Sequence, residues 1–366
     1  MRIIIIITRG DTIGGAQTHV ASISKKLIED GHEVRVVFGG EVGPFAELLK
    51  VNNIPYSNIT SFTNKFSVKN DFQAYKDVKE IIKNFQPELI SLHSTKAGIL
   101  GRIIAKRVGL PVALTVHGWS FSNGIPLYKR IISGFIERSL AFMVDKYILV
   151  SRYDSTIAKK LKFKKSKLFV IHNGVEDFLI HADEKKEETS KLSIVMVARF
   201  DNQKNQKMLI DVCKDISDIE LSFIGDGPLL EEIKAYSNDL DLLCEINFLG
   251  LRLDVKKIIR KYDVFALISN WEGFPISTIE AMCVGMPIIV SDVGGAAECV
   301  EEGVNGYVIK NEDKNYLKNA ILELRDDKAL LKRYGQGSRK IFLTQFTDQV
   351  MYDKTKKIFN DILNNS

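Results

Sequence analysis

The sequence predicts an α/β protein of two domains, each built on a parallel sheet covered by helices. Three observations predict it. Apolar runs of strand length alternate with segments of helical period along almost the whole chain. The runs are apolar without alternation, Ile3 to Ile7 being the extreme case, as strands buried on both faces require. The 366 residues suit two cores of ordinary size, and the strand–helix pattern starts afresh after a polar stretch near the middle.

In the first half, strands are expected at 2–8, 33–38, 54–57, 88–92, 112–116, 146–150 and 168–172, with helices at 16–30, 69–85, 96–108 and 126–142. In the second half, strands fit 192–198, 219–224, 245–248, 263–268, 287–290 and 307–309. Helices there fit 204–214, 228–238, 253–261, 276–284 and 313–325. The run from Asp183 to Ser190 is polar and aperiodic, the mark of a linker. The expected division is therefore a first domain at 1–178, a linker at 179–191, a second domain at 192–345 and a C-terminal helix at 346–366. That helix carries Val350, Tyr352, Ile358, Phe359, Ile362 and Leu363 and is expected to pack back across the domain junction. Open parallel sheets bind ligands beyond the C-terminal ends of their strands, so two such Rossmann-like sheets predict a site in a cleft that they face.

Composition narrows the class. Cys213, Cys244, Cys283 and Cys299 have neither disulfide-frame nor zinc-site spacing and read as reduced core thiols. The apolar start lacks a cleavage region and reads as a strand rather than a leader, and no run reaches transmembrane length. The net charge of +5 is uneven. Residues 1–182 hold 26 Lys/Arg against 15 Asp/Glu, while the remainder is acidic overall. The basic half should prefer an anionic partner such as an acidic membrane surface, a lipid diphosphate or a nucleic acid. Lys159, Lys160, Lys162, Lys164, Lys165 and Lys167, with Leu161, Phe163 and Leu168 between them, form either a solvated surface or a membrane contact. Aromatic stacking motifs for nucleic acid are weak.

Candidate chemistry lies at the expected strand ends. The segment Asn270-Trp271-Glu272-Gly273-Phe274-Pro275-Ile276-Ser277-Thr278-Ile279-Glu280 joins a Gly-Pro loop to a helix start. Pro, Ser and Thr there are helix-start residues, and a helix N-terminus offers N–H groups to a diphosphate. Glu272 in the loop and Glu280 in the helix can accept hydrogen bonds from sugar hydroxyls; alone, the spacing would be an ordinary capped helix with two solvated acids. Arg199 and Lys204 follow one strand and suit charge-assisted bonds to a diphosphate. Gly14-Gly15 after the first strand permits close backbone approach, but G-x-G-x-x-G is absent, which argues against a nicotinamide site. Gly225-Asp226-Gly227-Pro228 lacks the continuation of a triphosphatase loop. His93, His117, Ser151 and Asn173 each follow a strand, and Trp119 could pack on a sugar face.

Taken in order, Gly14-Gly15-Ala16-Gln17, Leu92-His93-Ser94, Thr115-Val116-His117-Gly118-Trp119, His172-Asn173-Gly174-Val175-Glu176, Arg199, Lys204, Gly225-Asp226-Gly227-Pro228 and Glu272-Gly273-Phe274-Pro275 through Glu280 resemble the retaining glycosyltransferases of family 4, which have the GT-B fold. The likeness spans essentially the whole chain and looks closest to bacterial enzymes of capsule, exopolysaccharide or O-antigen assembly. It implies a nucleotide-sugar donor, a UDP-sugar, bound mainly by the second domain. Glu280 would take the ribose hydroxyls, Arg199 and Lys204 the diphosphate, and Glu272 with the amides of Gly273, Phe274, Pro275 and Ile276 the donor sugar and phosphates. Gly15 would approach the diphosphate and His117 the sugar near the reacting carbon. His117, Glu272, Arg199 and Lys204 are thus the implied catalytic group. The acceptor, a glycan or a polyprenyl-diphosphate-linked sugar, would meet the first domain, where His93, Trp119, Ser151 and Asn173 are candidate contacts. The family implies no metal and no cofactor, Arg and Lys neutralising the charge that a metal would otherwise take, and a cytoplasmic protein peripheral at the inner membrane face. Ala198 replaces the glycine usual before Arg199. Competing readings are a sugar-nucleotide epimerase of the same fold and a non-catalytic sugar-nucleotide binding protein.

Overall fold

The computed structural model describes residues 1–63, 65, 67–121, 126–178 and 190–365, so most of the expected linker lies outside the described residues. The chain forms two compact units. Met1–Glu176 with Asp348–Ser366 makes the first, and Asp177–Thr347 the second.

In the first unit the order is β1 (Arg2–Ile7), α1 (Gly15–Glu29), β2 (Glu33–Gly39), α2 (Pro44–Val51), β3 (Tyr56–Ile59), α3 (Val68–Phe85), β4 (Leu89–His93), α4 (Thr95–Val108), β5 (Val112–Val116), α5 (Leu127–Leu140), β6 (Lys146–Leu149), α6 (Arg152–Lys160) and β7 (Leu168–Val170). All pairings are parallel, in the order β3-β2-β1-β4-β5-β6-β7. The isoleucine run in β1 serves both faces. Ile3, Ile5 and Ile7 pack with α1 and α2, while Ile4 and Ile6 pack with α3 and α4.

The second unit runs β8 (Leu192–Val197), α7 (Gln206–Cys213), β9 (Ile219–Ile224), α8 (Leu230–Asn238), β10 (Glu245–Phe248), α9 (Val255–Ile258), β11 (Val264–Leu267), α10 (Ile276–Cys283), β12 (Ile288–Ser291), β13 (Gly306–Ile309), α11 (Lys314–Asp326) and α12 (Lys328–Ile341). Its sheet is also parallel throughout, ordered β10-β9-β8-β11-β12-β13. A π-helical turn at Phe342–Phe346 ends it, and α13 (Asp348–Leu363) joins the first unit. There Met351, Tyr352, Ile358, Phe359 and Ile362 enter the core beside α1, and Asp30 holds both Tyr352 and Lys356. Asp177 opens the second unit in a bidentate pair with Arg339, at 2.7 and 2.9 Å.

Three helices were not expected from periodicity: α2, α6 and α12. The first two are only 8 and 9 residues long, a weak signal though one that α7, α8 and α10 of similar length also gave, and α12 carries Gly335 and Gly337, which dilute a helical pattern. The strand expected at 54–57 forms at Tyr56–Ile59, pulled into register by pairing of Val36 to Gly39 with Tyr56 to Ile59. The four cysteines are buried and unpaired.

A buried ion pair fastens α5 to α4. The Arg102 guanidinium meets both Glu137 carboxylate oxygens at 2.9 and 3.0 Å and donates from Nε to the Gly98 carbonyl at 2.7 Å. Arg102 is wholly buried. Removing one partner strands the other charge away from water. Glu137→Gln should therefore cost the first unit about 3–5 kcal/mol, read from urea unfolding, whereas the double change Arg102→Met with Glu137→Leu should recover most of it. Equal losses in the two variants would contradict this account.

Candidate active site

Each sheet reverses its winding direction once, between β1 and β4 in the first unit and between β8 and β11 in the second. At such a switch point the connections leave in opposite directions and open a crevice at the strand C-terminal ends. The candidate residues gather at both points.

In the second unit, β8 leads to Arg199 and Lys204, and β11 leads to Ser269 and Glu272. Backbone bonds tie the two loops together: Asn205 N–H donates to Ile268 O at 2.9 Å and Asn270 N–H to Gln203 O at 2.8 Å. Lys204 Nζ pairs with Glu272 Oε1, which also accepts from Ser269 Oγ at 2.7 Å, while Gln203 Nε2 donates to Glu272 Oε2 at 3.1 Å. Both carboxylate oxygens are thus engaged. Arg199 differs: its side chain is 70% exposed and among the described residues pairs only with Asp201, at 3.8 Å. Lys204 carries a charge that Glu272 already balances, so the two cations are not equivalent.

Helix α10 starts one residue after Pro275 with no side-chain cap. Ser277 and Thr278 lie inside the helix rather than capping it, and the buried Thr278 hydroxyl has no hydrogen-bond partner. The helix start therefore keeps its backbone N–H groups for another acceptor. The loop after β12 braces the approach. Gly295 N–H donates to Gly273 O at 2.8 Å, and Gly294, at φ +58°, lies so close to the Glu272 carbonyl that any side chain would strike it. Phe274 is buried against Phe346, so only its backbone can serve a ligand. Glu280 is half-buried on α10, and burial pushes its carboxyl up to about 6, with Lys256 opposing.

In the first unit, the exposed Gly14-Gly15 step opens α1 without a side-chain cap. His19 on α1, His93 at the end of β4 and His117 after β5 bring their ring nitrogens within 4.8 Å of one another. Three imidazoles this close could hold a metal ion. Their nitrogens already have other engagements: His93 Nδ1 with His117 Nε2 at 3.0 Å, His93 Nε2 with Ser91 Oγ at 3.1 Å, and His19 Nδ1 with Asn173 Oδ1 at 3.0 Å. His117 Nδ1 is buried with no partner among the described residues, a costly state unless a ligand takes it. Ser94 beside them sits at φ +82°, a conformation rare for serine. Its hydroxyl bonds Thr8 Oγ1 at 2.6 Å, linking β4 to β1.

Three candidates for direct sugar contact are structural instead. Trp119 is buried among Phe121, Tyr147 and Phe163 and donates from Nε1 to Asp154 O at 2.9 Å. It has no face free for a sugar. Ser151 is wholly buried as the N-cap of α6, donating to Asp154 Oδ2 at 2.7 Å. Asn173 is buried as the partner of His19.

Two domain families match this architecture. Glycosyltransferase Family 4 covers residues 13–177, and Glycosyl transferases group 1 covers residues 177–341. The chain belongs to glycosyltransferase family 4. It is similar to the Escherichia coli UDP-Gal:alpha-D-GlcNAc-diphosphoundecaprenol alpha-1,3-galactosyltransferase, with 29% identity over 89% of this chain and 88% of that one. The O-antigen biosynthesis glycosyltransferase WbnH of Escherichia coli is 26% identical over 92% of this chain and 98% of its own. Among solved structures, Anabaena HepE in complex with UDP-glucose superposes with a TM-score of 0.83 at 20% identity, covering 99% of this chain and 100% of that one. The fold of this glycosyltransferase is accordingly GT-B.

Sequence reasoning singled out neither His19, Ser91, Gln203 nor Ser269 as site residues. His19 carried a signal, since it lies one helical turn beyond Gly15 in the first strand-to-helix junction. The other three are visible only through the loops and strand that oppose them.

Because burial and mutual repulsion hold His93 and His117 well below the ordinary histidine value, and burial holds His19 down to about 4, the folded glycosyltransferase keeps these rings neutral where the unfolded chain protonates them. Their stabilising contribution is complete above pH 6.5 and lost as pH falls toward 4, by up to about 1.4 kcal/mol per ring per pH unit. Urea unfolding should show the first unit weakening from pH 7 to pH 5. A His19→Asn variant should show a shallower slope, and an unchanged slope would count against neutral burial.

Proposed function

We propose that this enzyme transfers a sugar, with retention of anomeric configuration, from a UDP-sugar to a hydroxyl of a glycan or polyprenyl-diphosphate-linked acceptor in the assembly of a capsule, exopolysaccharide or O-antigen. The observation that carries the reading is the second unit's switch point: an uncapped helix start with the Lys204–Glu272 pair in the loops before it, Glu280 within the helix, and Arg199 exposed at the end of the neighbouring strand. Such a start suits a diphosphate, and the carboxylates suit hydroxyls. The relatives support the substrate class, one being named for a UDP-Gal donor and a diphosphoundecaprenol-linked acceptor and another for O-antigen biosynthesis.

In this proposal Glu280 accepts from the ribose hydroxyls. Arg199, with charge to spare, closes on the diphosphate together with the N–H groups at Ile276 and beyond. Lys204 and Glu272 act as a unit, the lysine toward phosphate and the glutamate toward the donor sugar. Gly15 admits the diphosphate, and His117, whose Nδ1 lacks a partner among the described residues, serves the sugar near the reacting carbon. The bond from the anomeric carbon to the diphosphate oxygen breaks as the acceptor oxygen bonds on the same face, and the acceptor proton passes to the leaving diphosphate. The engagement of both Glu272 oxygens supports this route over nucleophilic attack by the carboxylate. The exposed charge of Arg199 and the uncapped amides of α10 support a metal-independent reaction, and the basic first unit supports work at the cytoplasmic face of a membrane.

The deciding assay is UDP release against a panel of UDP- and GDP-sugars, with short-chain polyprenyl-diphosphate sugars as acceptors and EDTA present. We expect release that needs both substrates, survives EDTA and falls at least tenfold in Glu280→Ala. An isomerised donor without transfer would replace the reading with an epimerase, and a glycosyl adduct trapped on Glu272 would overturn front-face displacement. Donor affinity supplies a second check. Binding through ionised Glu280 must expel its proton below about pH 6. Calorimetry with the UDP-sugar, whose diphosphate has no group titrating there, should show affinity falling toward tenfold per pH unit below that value, and Glu280→Gln should flatten the profile.

A further inference from the structure

Helix α5 is turned inside out. Its buried residues are Gly134 and Glu137, the latter consumed by Arg102. Its outer side carries Leu127, Tyr128, Ile131, Ile132 and Phe135, between 57% and 73% exposed. Leu127, Ile131 and Phe135 follow one another at i, i+4 and i+8, with Tyr128 and Ile132 alongside, so the five make a continuous row. Phe142, 67% exposed in the following turn, comes next along the chain. Single exposed apolar residues are ordinary; a contiguous apolar helix face is not.

The charge around that row is one-sided. Residues 126–167 hold 11 Lys/Arg against 3 Asp/Glu. All three acids are occupied within the fold: Glu137 by Arg102, Asp154 by Ser151 and Asp145 by the Val112 N–H. A groove of about 710 Å³ runs between α5 and α6, with Phe121, Ile157 and Leu161 in its wall and Arg138 and Lys160 among the cations lining it. No described helix is long and apolar enough to cross a membrane.

We propose that α5 is a membrane-docking helix, which lays its Leu127–Ile131–Phe135 row into the headgroup boundary of an anionic bilayer while the Lys and Arg residues of α5 and α6 meet the lipid phosphates. An apolar row among cations complements a surface that is anionic outside and hydrocarbon within. A second copy of the chain is a poor partner, because two such faces would bring like charges together. The basic stretch from Lys159 to Lys167 then supplies attraction, and α5 supplies the insertion that attraction alone lacks. This deepens the membrane part of the proposed function without depending on the transfer chemistry.

The test is co-sedimentation of the full-length protein with vesicles of equimolar phosphatidylglycerol and phosphatidylcholine, and with phosphatidylcholine alone. Wild type should bind the anionic vesicles and release partly in salt. The double variant Ile131→Ser with Phe135→Ser should lose roughly tenfold or more in partitioning. Its thermal unfolding and its UDP release with a water-soluble acceptor should stay at the wild-type level. A Lys159→Gln, Lys160→Gln variant should weaken binding and its salt dependence together. Undiminished binding by the apolar variant would overturn the proposal. So would failure of wild type to bind either vesicle, or self-association in gel filtration that the apolar variant abolishes. Loss of UDP release in every form, with vesicle binding intact, would remove the transferase reading and leave the docking face standing.

Discussion

A parallel sheet wound in both directions must have one pair of neighbouring strands whose connections diverge, and the rest of this protein follows from that constraint. Between β8 and β11 no helix can close over the strand ends, so the backbone there must be satisfied by loops. The loops satisfy each other. Asn205 reaches Ile268, Asn270 reaches Gln203, and Lys204 pairs with Glu272 across the divide. An ion pair that would be worth little on an open surface is here largely removed from water and further held by Ser269 and Gln203. It holds the entrance to α10 in place and keeps its uncapped amides available.

The first unit meets the same constraint with different chemistry. Its divergent pair is β1 and β4, and the gap is bordered by imidazoles instead of a lysine and a carboxylate. Burial keeps the rings neutral, so they act as hydrogen-bonding groups rather than as charges. Ser91 and Asn173 orient two of them, which leaves His117 Nδ1 without a partner among the described residues. The two switch points therefore differ in chemistry: one presents charge and uncapped helix amides, the other a buried, neutral polar surface.

Helix α5 shows how a buried ion pair can serve an exposed surface. Most surface helices are held by an apolar stripe against the core. With Arg102 and Glu137 anchoring its inner side, α5 keeps its apolar residues free for use outside the protein. Such an anchor is expensive to break, so the orientation of the face is secured.

The amino-acid sequence alone determined the two-domain parallel architecture, because strands buried on both faces must be continuously apolar and their crossovers must be helical. It also determined the family and the positions of Arg199, Lys204, Glu272 and His117, because each falls after a strand, where spacing along the chain places a residue at the rim of a sheet, and of Glu280, eight residues after Glu272 and inside the helix that follows. The short helices α2 and α6 and the glycine-bearing α12 escaped, their periodic signal being weak. Only the tertiary structure decided what each candidate touches. Trp119, Ser151 and Asn173 look like ligand contacts from their places after strands, yet packing against Phe163, capping of α6 and a bond to His19 take them up. The outward face of α5 was likewise hidden, because a row of apolar residues at helical spacing reads as core until the partner of Glu137 is known. Periodicity reveals that a helix has two faces; which one meets the protein is set by contacts far away in the chain.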